Sequence, residues 1–231
     1  MRWMRNWLCV GLVCWGCVTA WAQQIEPDDL KFEFKKVEVT LLKYQDTYPN
    51  ALGLGTGGRD DWLRIQVEYE INLKNGNKYP QQGGSHWVDQ CEFNWRVVLG
   101  YGERSANPVK KPSSLRLEKK ETYANIKIDG RKHRAVVYVH SRTLERFAPK
   151  IPLEQVGLEV RVKVSGKTVG EEWSLGGKSA TQAEARNANS LLSLLGDENV
   201  RLLPGALLGR RETPWVWSSE DFYEQLVETP R

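Results

Sequence analysis

The feature that most constrains this chain is an apolar residue at every second position over run after run. Leu63, Ile65, Val67, Tyr69, Ile71 and Leu73 alternate with Arg64, Gln66, Glu68, Glu70 and Asn72. A period of two places all the apolar side chains on one face of a pleated strand and the polar ones in water, whereas a helix would scatter them around its surface. Cys91, Phe93, Trp95, Val97 and Leu99 repeat the pattern within the run Trp87 to Leu99, as do Val156, Leu158, Val160, Val162 and Val164. Leu30, Phe32 and Phe34 alternate, then Val37, Val39 and Leu41 alternate one step out of phase, so the slip at Lys35-Lys36 predicts a β-bulge. Ala124, Ile126 and Ile128 lead into Asp129-Gly130, a hairpin signal, with Ala135, Val137 and Val139 expected on the return strand. A strand at 168–175 follows the turn Ser165-Gly166-Lys167 and is expected to be the last. The sum is seven to nine antiparallel strands with one wet face each, the pattern of a two-sheet sandwich.

The two ends of the chain do not follow this period. Arg2 and Arg5 precede an apolar run from Trp7 to Val18, and Ala20-Trp21-Ala22 has the small-x-small form of a cleavage site. Residues 1–22 therefore read as a secretory signal peptide, with Gln23 as the new N-terminus. The run is shorter than the roughly 20 residues that span a bilayer, and no stable membrane span is expected elsewhere. Export predicts a periplasmic, outer-surface or secreted protein. Cys9, Cys14 and Cys17 leave with the leader, so Cys91 is the single thiol of the mature chain and no internal disulfide is expected. At the other end Thr181-Gln182-Ala183-Glu184 is a capping box ahead of a helix-compatible run through Leu191, Leu192, Leu194 and Leu195, which Gly196 should stop. Ser141 to Phe147 fits one short helix before Pro149. The division is thus signal peptide 1–22, sandwich 23–178 and C-terminal extension 179–231. The extension is expected to pack on the sandwich or on a partner, because Val200, Leu202, Leu203, Leu207, Leu208, Trp215, Val216 and Trp217 need a surface to bury against.

The strand order, the Trp-bearing third strand with Trp95 as its core tryptophan, and the turn before the last hairpin resemble an immunoglobulin-like sandwich. The inter-sheet cysteine pair and corner tyrosine of antibody domains are missing. The tail Arg211-Glu212-Thr213-Pro214-Trp215 with Asp221-Phe222-Tyr223-Glu224 is similar to tails of small exported immunoglobulin-like proteins of Verrucomicrobia, of the kind linked with type IV pilus-like gene clusters. That resemblance implies a non-enzymatic interaction or structural role at the cell surface or in the periplasm, with an envelope or pilus-associated protein as partner.

Catalytic and cofactor motifs dissolve on inspection. Gly53-x-Gly55-x-x-Gly58 has the letters of a dinucleotide fingerprint, but a strand follows it where a helix N-terminus must receive the pyrophosphate. His86, His133 and His140 have no ligand spacing, and Asp60-Asp61 alone does not make the six to eight oxygens that calcium needs. Cys91 lies in an inward series and reads as a buried, inert thiol. No catalytic, metal or cofactor residue is assigned, and no enzyme is expected.

Charge supplies the remaining signal. The whole chain carries a net +4, but residues 104–134 hold ten Lys and Arg against Glu118, Glu121 and Asp129. Within that stretch Lys110, Lys111, Lys119 and Lys120 are candidate partner-binding residues beside an irregular strand containing Leu115 and Leu117, read as a guarded sheet edge. Trp215 and Trp217 are the apolar candidates. A basic patch suits an acidic glycan; nucleic acid is not expected for an exported chain. The alternative function is a carbohydrate-binding sandwich using exposed Trp, drawn from Trp62, Trp87, Trp173, Trp215 and Trp217.

Overall fold

The computed structural model describes residues 25–43, 61–74, 86–101, 113–148, 151–187, 190–213 and 225–226. Residues 1–22, read above as a signal peptide, the Gly53–Gly58 motif, Lys110, Lys111, Trp215, Trp217 and the tail motif from Pro214 to Glu224 lie outside them.

The alternating runs become the long strands β1 (Leu30–Lys43), β2 (Asp61–Leu73), β3 (His86–Tyr101), β4 (Ser113–Ile128), β5 (His133–Val139), β6 (Val156–Val164) and β7 (Lys167–Leu175). Short strands follow: β8 (Lys178–Ala180), β9 (Arg201–Leu202), β10 (Leu207–Gly209) and β11 (Gln225–Leu226). Two helices, α1 (Ser141–Phe147) and α2 (Gln182–Arg186), and a 3-10 helix at Leu191–Leu195 interrupt them. Sheet A runs β1-β2-β5-β10 and sheet B runs β11-β4-β3-β6-β7-β8, with β9 also on β4. The protein is an all-β sandwich with a short, partly helical extension.

Its core lies between the sheets, where the inward series meet. Leu63, Ile65, Val67, Tyr69 and Ile71 of β2 face Cys91, Phe93, Trp95, Val97 and Leu99 of β3, all of them buried. Phe93 stands 5.2 Å from the rings of both Tyr69 and Tyr123, an aromatic cluster whose edge and tilted contacts add to the burial. The bulge appears where the slip in phase places it, between Phe34 and Lys36.

Four local expectations are corrected. Asp129-Gly130 does not close a hairpin. Strand β4 belongs to sheet B and β5 to sheet A, so these residues carry the chain from one sheet to the other. The turn chemistry is right, since Gly130 has a φ of +68° and Asp129 accepts the backbone N–H of Arg131. What the pattern missed is that Ala135 to Val139 is buried at every position, as suits a strand between β2 and β10. The strand at 168–175 is not the last, because the left-handed pair Gly176-Gly177 folds the chain back into β8. The helical run after Thr181 splits into α2 and the 3-10 helix, although the capping box forms as read. Finally, β4 is not a free edge: β9 pairs with it at Leu115–Arg116 and β11 at Tyr123–Ala124.

The extension reaches both sheets. Val98 and Gly157 open the outer face of sheet B to Leu191 and Leu192, and Val98, Ala185, Leu192, Leu194, Leu195 and Val200 form a second buried cluster there. Strand β10 then adds Leu207 to the main core and becomes the edge of sheet A.

Candidate functional site

The outer face of sheet B is divided between that apolar cluster and a charged cleft. Antiparallel register fixes the cleft: Arg96 of β3 lies opposite Glu118 of β4 and Glu159 of β6, and Asn94 lies opposite Lys120 and Arg161. With Lys163 these residues line a hollow of about 300 Å³.

Glu159 organises its floor. Alternation places this residue outward, yet its side chain is only 1% exposed. Trp173 stands directly across from it on β7 and belongs to the edge of the apolar cluster. Arg96 Nη1 donates to Oε2 at 3.2 Å and Arg161 Nη2 meets Oε1 at 2.5 Å. Burial raises the Glu159 pKa, and the two guanidinium groups oppose that rise. Arg161 is held on its other side by Glu171 at 2.8 Å, and Lys120 pairs with Glu92, whose carboxyl its hydrogen bond holds below the usual range. Lys163 makes none of these ion pairs. The cleft thus carries a network of ion pairs, from the buried Glu159 at its floor to the exposed Lys120 at its rim.

Of the predicted basic residues, Lys119 and Lys120 both border this hollow, with different ion-pair partners. Lys120 points outward into the cleft, and its neighbour Lys119 lies opposite buried Trp95 and is tied to Glu212 of the extension at 2.5 Å. Of the tryptophans, Trp62 and Trp95 are buried and Trp173 is half-buried. Trp87 is 49% exposed. It faces out because β3 and β4 both step over one position at Asp89–Gln90 and Asn125, the latter at a φ of +54°, so that Val88 and Ile126 turn inward instead. No other tryptophan among the described residues is exposed, so these residues form no platform of two or more tryptophan rings.

Cys91 is buried and forms no disulfide. His133 is buried at the start of β5, and His140 caps α1 by accepting the Arg142 backbone N–H at 2.9 Å. Among the described residues no three His, Cys, Asp or Glu side chains gather to hold a metal, and no helix is long and apolar enough to cross a membrane.

Two acids escaped the sequence reading. Glu159 is buried by tertiary contacts that no local pattern carries. Glu121 was legible in principle, since the inward series Leu115, Leu117 continues through Lys119 and Glu121 to Tyr123.

The fold and site define a β-sandwich whose C-terminal extension is stitched to both sheets and whose outer face carries a polar cleft. A protein-family model matches residues 29–229, sandwich and extension together, and the chain belongs to that family. The chain is also similar to a protein of Akkermansia muciniphila known from its crystal structure, with a TM-score of 0.59 and 17% identity over 87% of this chain and 94% of that one. At that identity the likeness is one of fold. No curated protein matches the sequence.

Proposed function

We propose that the chain is an exported, non-enzymatic interaction module of the bacterial envelope, working in a type IV pilus-like assembly of the Verrucomicrobia type. The observation that carries this reading is the cleft on sheet B, where Arg96, Lys120, Arg161 and Lys163 stand on a rigid three-strand surface against Glu118 and Glu159. Such a surface offers a partner protein several charge pairs in fixed register. The leader-like first 22 residues, the immunoglobulin-like order of the strands and the tail resemblance support export and the envelope setting. Domain limits at 23–178 and 179–231 belong to the same proposal. The family match, which runs through both parts, supports treating them as one working unit.

The carbohydrate-binding alternative keeps Trp87 as its one exposed ring among the described tryptophans, and the protein-partner reading is preferred for that reason. Fractionation of the native host tests the proposal. The protein is expected in the envelope or periplasmic fraction with its N-terminus at Gln23, crosslinked to an envelope protein. Recovery from the cytoplasm with residues 1–22 attached would overturn it.

A further inference from the structure

A buried acid sits where the extension meets both sheets. Strand β10 pairs with β5 of sheet A and touches β4 of sheet B. On β4, Glu121 occupies an inward position opposite Phe93 and is buried. The Tyr123 hydroxyl donates to its Oε2 at 3.0 Å. Its Oε1 lies against the backbone of Gly209 in the space a β-carbon would fill. Beyond Gly209 the chain hooks back, so that Glu212 Oε2 accepts the Gly209 backbone N–H at 2.7 Å and meets Lys119 Nζ at 2.5 Å. The seam therefore brings together two carboxylates, one from the sandwich and one from the extension, with the Lys119 ammonium paired to Glu212 and acting electrostatically on Glu121. The other titratable groups nearby are Tyr123 on β4, Tyr69 of β2 behind it, and Arg211 in the turn after β10.

We propose that Glu121 is a proton-operated latch on the extension: protonated, it lets the hook Leu207–Glu212 seat in the seam, and ionised, it loosens that hook. This goes beyond the interaction role and holds whether or not the sheet B cleft binds a partner. Burial is the leading influence on Glu121 and pushes its pKa up from the ordinary 4.5 to about 7, with the Tyr123 hydrogen bond and Lys119 opposing and Glu212 reinforcing. The seated form thus keeps a proton that the released form, back in water, gives up. Seating is strongest below pH 4.5, weakens as the pH climbs towards 7, and levels off above that value. Release leaves Val137, Tyr138 and Val139 of β5 without their partners on β10, an open edge of the kind that accepts a strand from another chain.

Hydrogen exchange on the intact chain, with rates corrected against an unstructured reference peptide, tests the latch. Protection of the β10 amides is expected to fall by at least about tenfold between about pH 5 and pH 8, while β6 stays unchanged. In Glu121→Gln the same amides should hold one protection level across that range. Glu212→Gln, a change at a half-exposed side chain, should move the wild-type transition to lower pH. Equal wild-type protection at both ends of the range, an undiminished slope in Glu121→Gln, or an unmoved transition in Glu212→Gln would each overturn the proposal.

Discussion

Gly157 and Val98 face each other across the β3–β6 ladder so closely that a β-carbon on residue 157 would stand 2.7 Å from Val98 Cγ1. The same β-carbon would be 3.1 Å from Leu192 Cδ2 in the extension. Val98 is β-branched and stiff, so it cannot easily swing away; β3 and β6 must shift locally, and Leu192 of the extension must give way as well. Gly157→Ala is therefore expected to cost about 1–3 kcal/mol, the range for overpacking a core. Chemical denaturation reads this directly, and a midpoint equal to wild type would show that the extension does not depend on this approach.

Trp95 and Trp87 lie on one strand with opposite fates. Trp95→Ala should cost about 3–5 kcal/mol, because it empties a large volume in the main core. Trp87→Ala should stay within about 0.5 kcal/mol, as surface changes usually do. Equal destabilisation by the two would refute the step in register at Asp89–Gln90.

Which parts of this structure the sequence announces follows from the range of the forces involved. Alternation is local, so β2, β3 and β6, the bulge at Lys35-Lys36 and the helix at 141–147 were all legible. Thr181 likewise declared its cap, since a capping box is closed within four residues. The partner of β5 was not legible: Asp129-Gly130 turns the chain equally well into a hairpin or across to the other sheet. Lys119 and Lys120 illustrate the same limit. Composition groups them as one basic patch, whereas a pleated strand sends neighbours to opposite faces. Glu159 lies further still from sequence reasoning, because its burial depends on Trp173 and on the two arginines from β3 and β6.

Glu159→Ala strips the shared anion from Arg96 and Arg161. Both guanidinium groups are about two-fifths exposed, and water takes up much of the loss. The expected cost is about 1–2 kcal/mol, below the roughly 3–5 kcal/mol of a fully buried broken pair. A larger loss by urea denaturation would mean that the two arginines are held by Glu159 alone.

Cys91 is fully buried between β4 and β6 and should ignore thiol reagents until the protein unfolds. Labelling followed by mass spectrometry, with and without denaturant, checks this. Rapid modification of the native protein would place the inward face of β3 out of register.

The account rests most heavily on the cleft of sheet B as a contact surface. Quantitative crosslinking capture from envelope extract of the native host, comparing the wild-type chain with Lys120→Glu/Lys163→Glu, tests it most directly. Lys120 is exposed and gives up its pair with Glu92, so the double variant should stay folded, with a melting temperature lowered by no more than about 2–4 °C. The wild-type chain is predicted to enrich a discrete envelope protein, and the variant to lose it by at least about tenfold, the scale of one to two desolvated charge pairs reversed. Equal capture by a folded variant, or the absence of any enriched envelope protein with the wild type, would contradict the account.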